Sequence, residues 1–163
     1  MKMTLSVMGI ALLLGASVTF AHDDAHKKKA PFSAAQLAET PFGKAGNPKR
    51  VTRTVTITMS DKMRYTPDSL AIKRGETIRF VVKNGGKIMH ELVLGNLKEL
   101  KEHAELMKKF PDMEHDEPYM AHVASGKSEV IVWQFTQSGE FYFGCLIPGH
   151  FEAGMSGKIV VTQ

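Results

Sequence analysis

From residue 51 onward, apolar and polar positions follow the period of a β-strand. Val51, Val55 and Ile57 alternate with Thr and Arg, and a loop is expected over 59–67. Residues 70–73 form a short apolar run stopped by Arg74-Gly75. Residues 77–83 (TIRFVVK) form a longer one, closed by Asn84-Gly85-Gly86. Further strands are predicted at 88–94, 129–135, 140–143 and 157–161, with a turn at Ser138-Gly139. Short strands separated by Gly, Asn and Ser turns predict an all-β fold, a Greek-key sandwich of seven to eight strands.

One stretch changes period. Asn96 offers an N-cap with Glu99 three residues on, and Leu97, Leu100, Ala104 and Met107 recur at helical spacing. Pro111 cannot continue a helix. Residues 96–127 therefore read as a helix-containing insertion between two strands.

The N-terminal pattern is of another kind. Met1 and Lys2 precede an apolar run from Val7 to Phe20, and Thr19-Phe20-Ala21 places small residues where a signal peptidase cuts. The run is short for a membrane span of about 20 residues. A signal peptide over 1–21 is expected, cleaved after Ala21, with export to the periplasm and no membrane span afterwards. Residues 22–50 carry Lys27-Lys28-Lys29, Pro31, Pro41, Gly43, Gly46 and Pro48. They read as a flexible N-terminal segment with a helical turn near 33–39. The folded domain is expected at 51–163.

Composition then narrows the chemistry. The 163 residues hold one Cys, ten Met and seven His, and the net charge is +4. One Cys excludes an internal disulfide, a Cys-rich zinc module and an iron–sulfur cage. A charge this mild, without a basic stripe, argues against nucleic acid as a partner. A lone Cys in an exported chain is a free thiol, a partner's thiol or a metal ligand. The segment from Gly144 to Met155 decides among these: Cys145, His150 and Met155 are each separated by four residues, and His90 lies upstream in a strand. Thiolate, two imidazoles and a weak thioether are the donor set of a mononuclear electron-transfer copper, the type 1 site. Zinc is the other metal for such ligands, but the Met argues against it. Taken singly, Cys145 and Met155 read as core and the His as surface residues; their joint spacing favours copper.

On these residues the chain resembles the cupredoxins, the plastocyanin/azurin-like family that includes auracyanins and rusticyanin. The stretches that carry the resemblance are MSDKMRYTPDSLAIKRGETIRFVVKN, HELVLGNLKELKEHAELMKKFPDMEH and FGCLIPGHFEAGMSGKIVV. Within the family they look most like the CopI-type copper-tolerance cupredoxins of bacterial periplasms. The resemblance covers about 51–163. It implies a cupredoxin β-sandwich with copper held by His90, Cys145, His150 and Met155. In azurin-like members the residue after the first His is commonly Asn, and here it is Glu91. Multicopper oxidases of related fold flank the Cys with His; Gly144 and Leu146 stand there instead. A trinuclear oxidase site is therefore not expected, and cuprous oxidase activity would at most be weak.

A second group of soft ligands lies outside that set. His103, Met107, Met113, His115, Met120 and His122 fall in the insertion, and Met59 and Met63 follow the first strand. Thioether and imidazole suit Cu(I), which makes these residues candidates for accessory copper. Met at helical spacing is equally a core residue. At the processed N-terminus, His22 with its α-amine, and His26 nearby, offer a Cu(II) chelate. The functional expectation is a periplasmic copper-tolerance or homeostasis protein, with copper ions as ligand and a redox or copper-export protein as partner. The alternative is a diffusible electron carrier of a respiratory or photosynthetic chain, docking through Ile147, Pro148 and Phe151.

Overall fold

A computed structural model describes residues 39–111, 113 and 116–163. The signal peptide, most of the 33–39 turn, His22, His26 and His115 lie outside the described residues. Two five-stranded sheets face each other. The first has the order β1 (Lys44–Ala45), β8 (Ser128–Gln134), β5 (Thr77–Asn84), β2 (Arg53–Ser60) and β3 (Arg64–Thr66). The second has the order β4 (Ser69–Lys73), β10 (Ser156–Thr162), β9 (Gly139–Gly144), β6 (His90–Gly95) and β7 (Met120–Val123). β2 runs parallel to β5 and β10 parallel to β4; the other pairings are antiparallel. No described helix is long and apolar enough to cross a membrane.

The β-sandwich is the expected one, with differences at its margins. The 59–67 stretch is not all loop: Met59 and Ser60 end β2, and Arg64–Thr66 returns as β3. Thr and Arg in that stretch hide the strand, because β3 is an edge of three residues with one buried side chain, Tyr65. The reading of 22–50 as flexible does not hold for 40–50. Lys44–Ala45 pairs with β8, Pro48–Arg50 makes a 3-10 turn, and Phe42 is buried. Phe42 stacks on Trp133 with centroids 5.3 Å apart, and its carbonyl accepts the indole N–H at 3.0 Å. A single aromatic with a buried partner anchors a Pro- and Gly-rich segment whose local composition gives no such signal.

The insertion carries the helix α1 (Leu97–Lys109). Asn96 caps it as expected, its side-chain oxygen accepting Glu99 N–H at 2.9 Å. The insertion also contains β7, which pairs with β6. This matters for the site. All six residues of β6 are buried, because its two faces are covered differently. Leu92 and Leu94 face the core between the sheets, whereas Val93 packs under α1 with Leu100, Ala104, Met107, Met120 and Leu146. Alternation along the strand thus sends His90 inward and Glu91 outward.

Candidate metal centre

His90 opens β6, Cys145 follows β9, and His150 sits in the loop that returns to β10. The antiparallel pairing of β6 with β9 brings the first two to the same end of the second sheet. The loop from 145 to 155 then closes on itself. Met155 N–H donates to the His150 carbonyl at 3.0 Å, and Cys145 N–H to the Met155 carbonyl at 3.1 Å. Gly154 has φ of +90°, and Arg64 holds the loop from outside, donating to the Ala153 carbonyl at 2.8 Å. The result is a cluster in which one donor atom from each of His90, Cys145 and His150 lies within 4.8 Å of the others. It is the only such group of three or more His, Cys, Asp or Glu among the described residues. Cys145 Sγ is 3.2 Å from His150 Nδ1, and the two imidazole centroids are 5.0 Å apart. Met155 is fully buried in the same core as Cys145.

The chemistry of the cluster suits a metal ion. His90 Nδ1 is buried and has no hydrogen-bond partner. An orphaned buried polar atom costs about 1–3 kcal/mol, a cost that a metal bond removes. Burial pushes the Cys145 thiol up to about 12, against the lowering effect of the Glu91 and Ile147 N–H groups. The thiolate therefore needs a positive charge to form, and a cation bound between the imidazoles would supply it. The imidazole of His150 is held below its usual range, first by burial and then by His90. It is neutral and able to donate a lone pair at neutral pH.

Around the donors lies a hydrogen-bonded frame. Glu91 N–H points at Cys145 Sγ from 3.4 Å, and the Glu91 carbonyl accepts the Tyr65 hydroxyl at 2.6 Å. The Glu91 side chain is turned to the outer face and is 3% exposed. One oxygen accepts Leu146 N–H at 2.7 Å and the other meets His122 Nε2 at 3.0 Å. Asp61 faces the far ring nitrogen of His90 at 3.1 Å. Lys108 of α1 reaches Glu152 in the ligand loop at 2.7 Å, so the inserted helix is tied to that loop by charge as well as by packing. Asp61 and Tyr65 escaped the sequence reading, because neither has ligand spacing to His90 or Cys145. Glu91 stood out only as a departure from Asn.

The described members of the second group of soft ligands are divided between buried packing and the surface. Met59 is fully buried in the core between the sheets, and Met63 packs against that core. Met107 and Met120 fill the small core under α1. His103 lines an open cavity of about 430 Å³ with Phe42, Leu100 and Tyr119. His122 is engaged by Glu91, and Met113 is partly exposed. Thioethers at helical and strand spacing have here gone mainly into packing.

Residues 51–162 match the family described as copper binding proteins, plastocyanin/azurin family. The chain belongs to that family. Among relatives of this cupredoxin is the copper-resistant cuproprotein CopI of Rubrivivax gelatinosus, 55% identical over 76% of this chain and 75% of the relative. CopI of Vibrio cholerae serotype O1 is 32% identical over 97% of this chain and 98% of its own. CopI of Pseudomonas aeruginosa is 32% identical over 74% and 82%. Among solved structures, auracyanin B has a TM-score of 0.63 at 21% identity, covering 77% of this cupredoxin and all of its own chain. The reduced auracyanin of Roseiflexus castenholzii has a TM-score of 0.60 at 20% identity, covering 69% and 99%. These two likenesses establish the cupredoxin fold.

Proposed function

We propose that this cupredoxin is a periplasmic copper-tolerance protein that holds one copper at His90, Cys145, His150 and Met155. The observation that carries the copper assignment is the buried, partnerless His90 Nδ1 beside a buried thiol and a neutral imidazole. Copper bound there supplies a one-electron couple between Cu(I) and Cu(II). The chain's own residues hold the donors in place and exclude water from them: Cys145 and Met155 are fully buried, and the loop carrying them is closed by backbone bonds. The tolerance role rests on the three relatives named as copper-resistant cuproproteins. A deletion strain is expected to grow poorly in elevated copper, with rescue by the wild-type chain and none by Cys145→Ser. Normal copper tolerance together with impaired respiration would favour the electron-carrier reading instead. That reading draws on the apolar rim of His150, where Pro148 is exposed and Ile147 and Phe151 are half-buried.

Accessory Cu(I) binding belongs to the same proposal, through the surface members of the soft set, His103, Met113 and His122. The double variant His103→Ala with Met113→Ala is expected to keep the visible thiolate–copper band of the main site. Its anaerobic Cu(I) capacity should fall by about one equivalent, read by titration against a chromogenic chelator. Wild-type protein that binds one copper and no more would end the accessory reading.

A further inference from the structure

Asp61 stands in the turn between β2 and β3, and its carboxylate is spent on the segment that leads into β6. One oxygen accepts Lys87 N–H at 2.8 Å; the other accepts Ile88 N–H at 3.5 Å and faces His90 Nε2 at 3.1 Å. Both carboxylate oxygens thus face backbone N–H donors. An ionised carboxylate only accepts, so the ring nitrogen facing it must carry the hydrogen. In its neutral form the His90 ring has one N–H, and that form leaves Nδ1 as a lone pair. Nδ1 is the atom buried without a partner, and His90 is the residue that offers a ring nitrogen to the cluster with Cys145 and His150.

The approach of Asp61 is built into the neighbouring loop. A Cβ on Gly86 would lie 1.9 Å from Asp61 Oδ1 and 2.8 Å from its Cγ. Only glycine leaves the carboxylate its place. The loop cannot retreat to make room. Gly86 N–H donates to the Asn84 side chain at 2.8 Å, and the Gly86 carbonyl accepts the Ser125 hydroxyl at 2.8 Å. The Asn84 amide in turn donates to the Ile88 and Val123 carbonyls, each at 2.8 Å. Asn84 is 3% exposed, so this frame is part of the fold.

We infer that Asp61 is a positioning residue of the copper centre, fixing the tautomer and ring angle of His90 and placing a negative charge against it that favours Cu(II) over Cu(I). The inference rests on the reading of His90 as a copper ligand. Carboxylates behind metal-bound His raise ligand basicity, and their removal costs about 10- to 100-fold in metal affinity.

The test uses the full processed chain. In the metal-free protein, 15N NMR of the His90 ring is expected to show hydrogen on Nε2. Gly86→Ala, which displaces the carboxylate without removing its charge from the protein, is expected to mix the two tautomers. In the copper-loaded protein, Asp61→Asn is expected to keep the charge-transfer band. It should lose about tenfold in Cu(II) affinity relative to Cu(I), a rise of about 59 mV in the one-electron potential. Gly86→Ala should shift the potential in the same direction. A wild-type protein with the band, whose potential and His90 tautomer are unchanged in both variants, overturns the role of Asp61 and leaves the copper site standing. A wild-type protein that forms no such band overturns the ligand reading and this inference with it.

Discussion

Cys145→Ser is expected to abolish the intense visible band of the copper-loaded protein, because that band requires a thiolate–copper bond. The hydroxyl that replaces the thiol stays protonated at neutral pH and is a hard, weak donor toward a soft metal. Copper affinity should fall by several orders of magnitude, while the metal-free fold changes little. Cys145 is buried and accepts the Glu91 N–H, and Ser can accept the same bond. Visible absorption with a copper titration checks the first expectation, and urea unfolding of the metal-free protein checks the second. A variant that keeps the band would place the copper elsewhere.

Glu91→Ala is expected to have the largest effect on stability among changes near the site. It removes the acceptor of Leu146 N–H, which lies in a buried stretch beside the cysteine, and it takes away the carboxylate that meets His122. A buried donor left unsatisfied costs about 1–3 kcal/mol, and deleting a buried side chain adds a packing loss. The metal-free protein should unfold at lower urea with an unchanged slope. Its ligand loop should loosen, which copper-loaded protein would report as a broadened visible spectrum. Glu91→Gln keeps an oxygen for Leu146 N–H and should recover most of the stability. If Gln and Ala behave alike, the hydrogen bond to Leu146 is not what Glu91 contributes.

These two residues also mark what a linear reading reaches. Cys145 is legible because its partners His150 and Met155 follow in one loop, where chain spacing and spatial proximity coincide. The helix is legible for the same reason: Asn96 caps a residue three positions away, and Leu100, Ala104 and Met107 share one face. Glu91 is different. Its partners come from β7 and from the end of β9, and only the register of β6 brings them together. Asp61 meets His90 across a similar gap. The soft cluster shows the converse, that nearness in sequence does not by itself separate ligands from packing. His103, Met107 and Met120 are close in sequence, but the helix and β7 turn both Met into a shared core and leave His103 at an open cavity. Phe42 shows how a Pro- and Gly-rich segment joins a fold through one ring packed on Trp133.

The bare nitrogen on His90 has a consequence for how long the protein lasts. A ligand that binds only the native state adds stability as its free concentration passes its dissociation constant, by about 2.7 kcal/mol at a hundredfold excess. Unfolding populations track that free energy, and so does cleavage by proteases when refolding is fast. A copper-binding chain with a buried ring nitrogen that lacks a hydrogen-bond partner is therefore expected to be cleared faster when copper is scarce and retained when copper is abundant. Its abundance would follow the metal supply without any change in its synthesis.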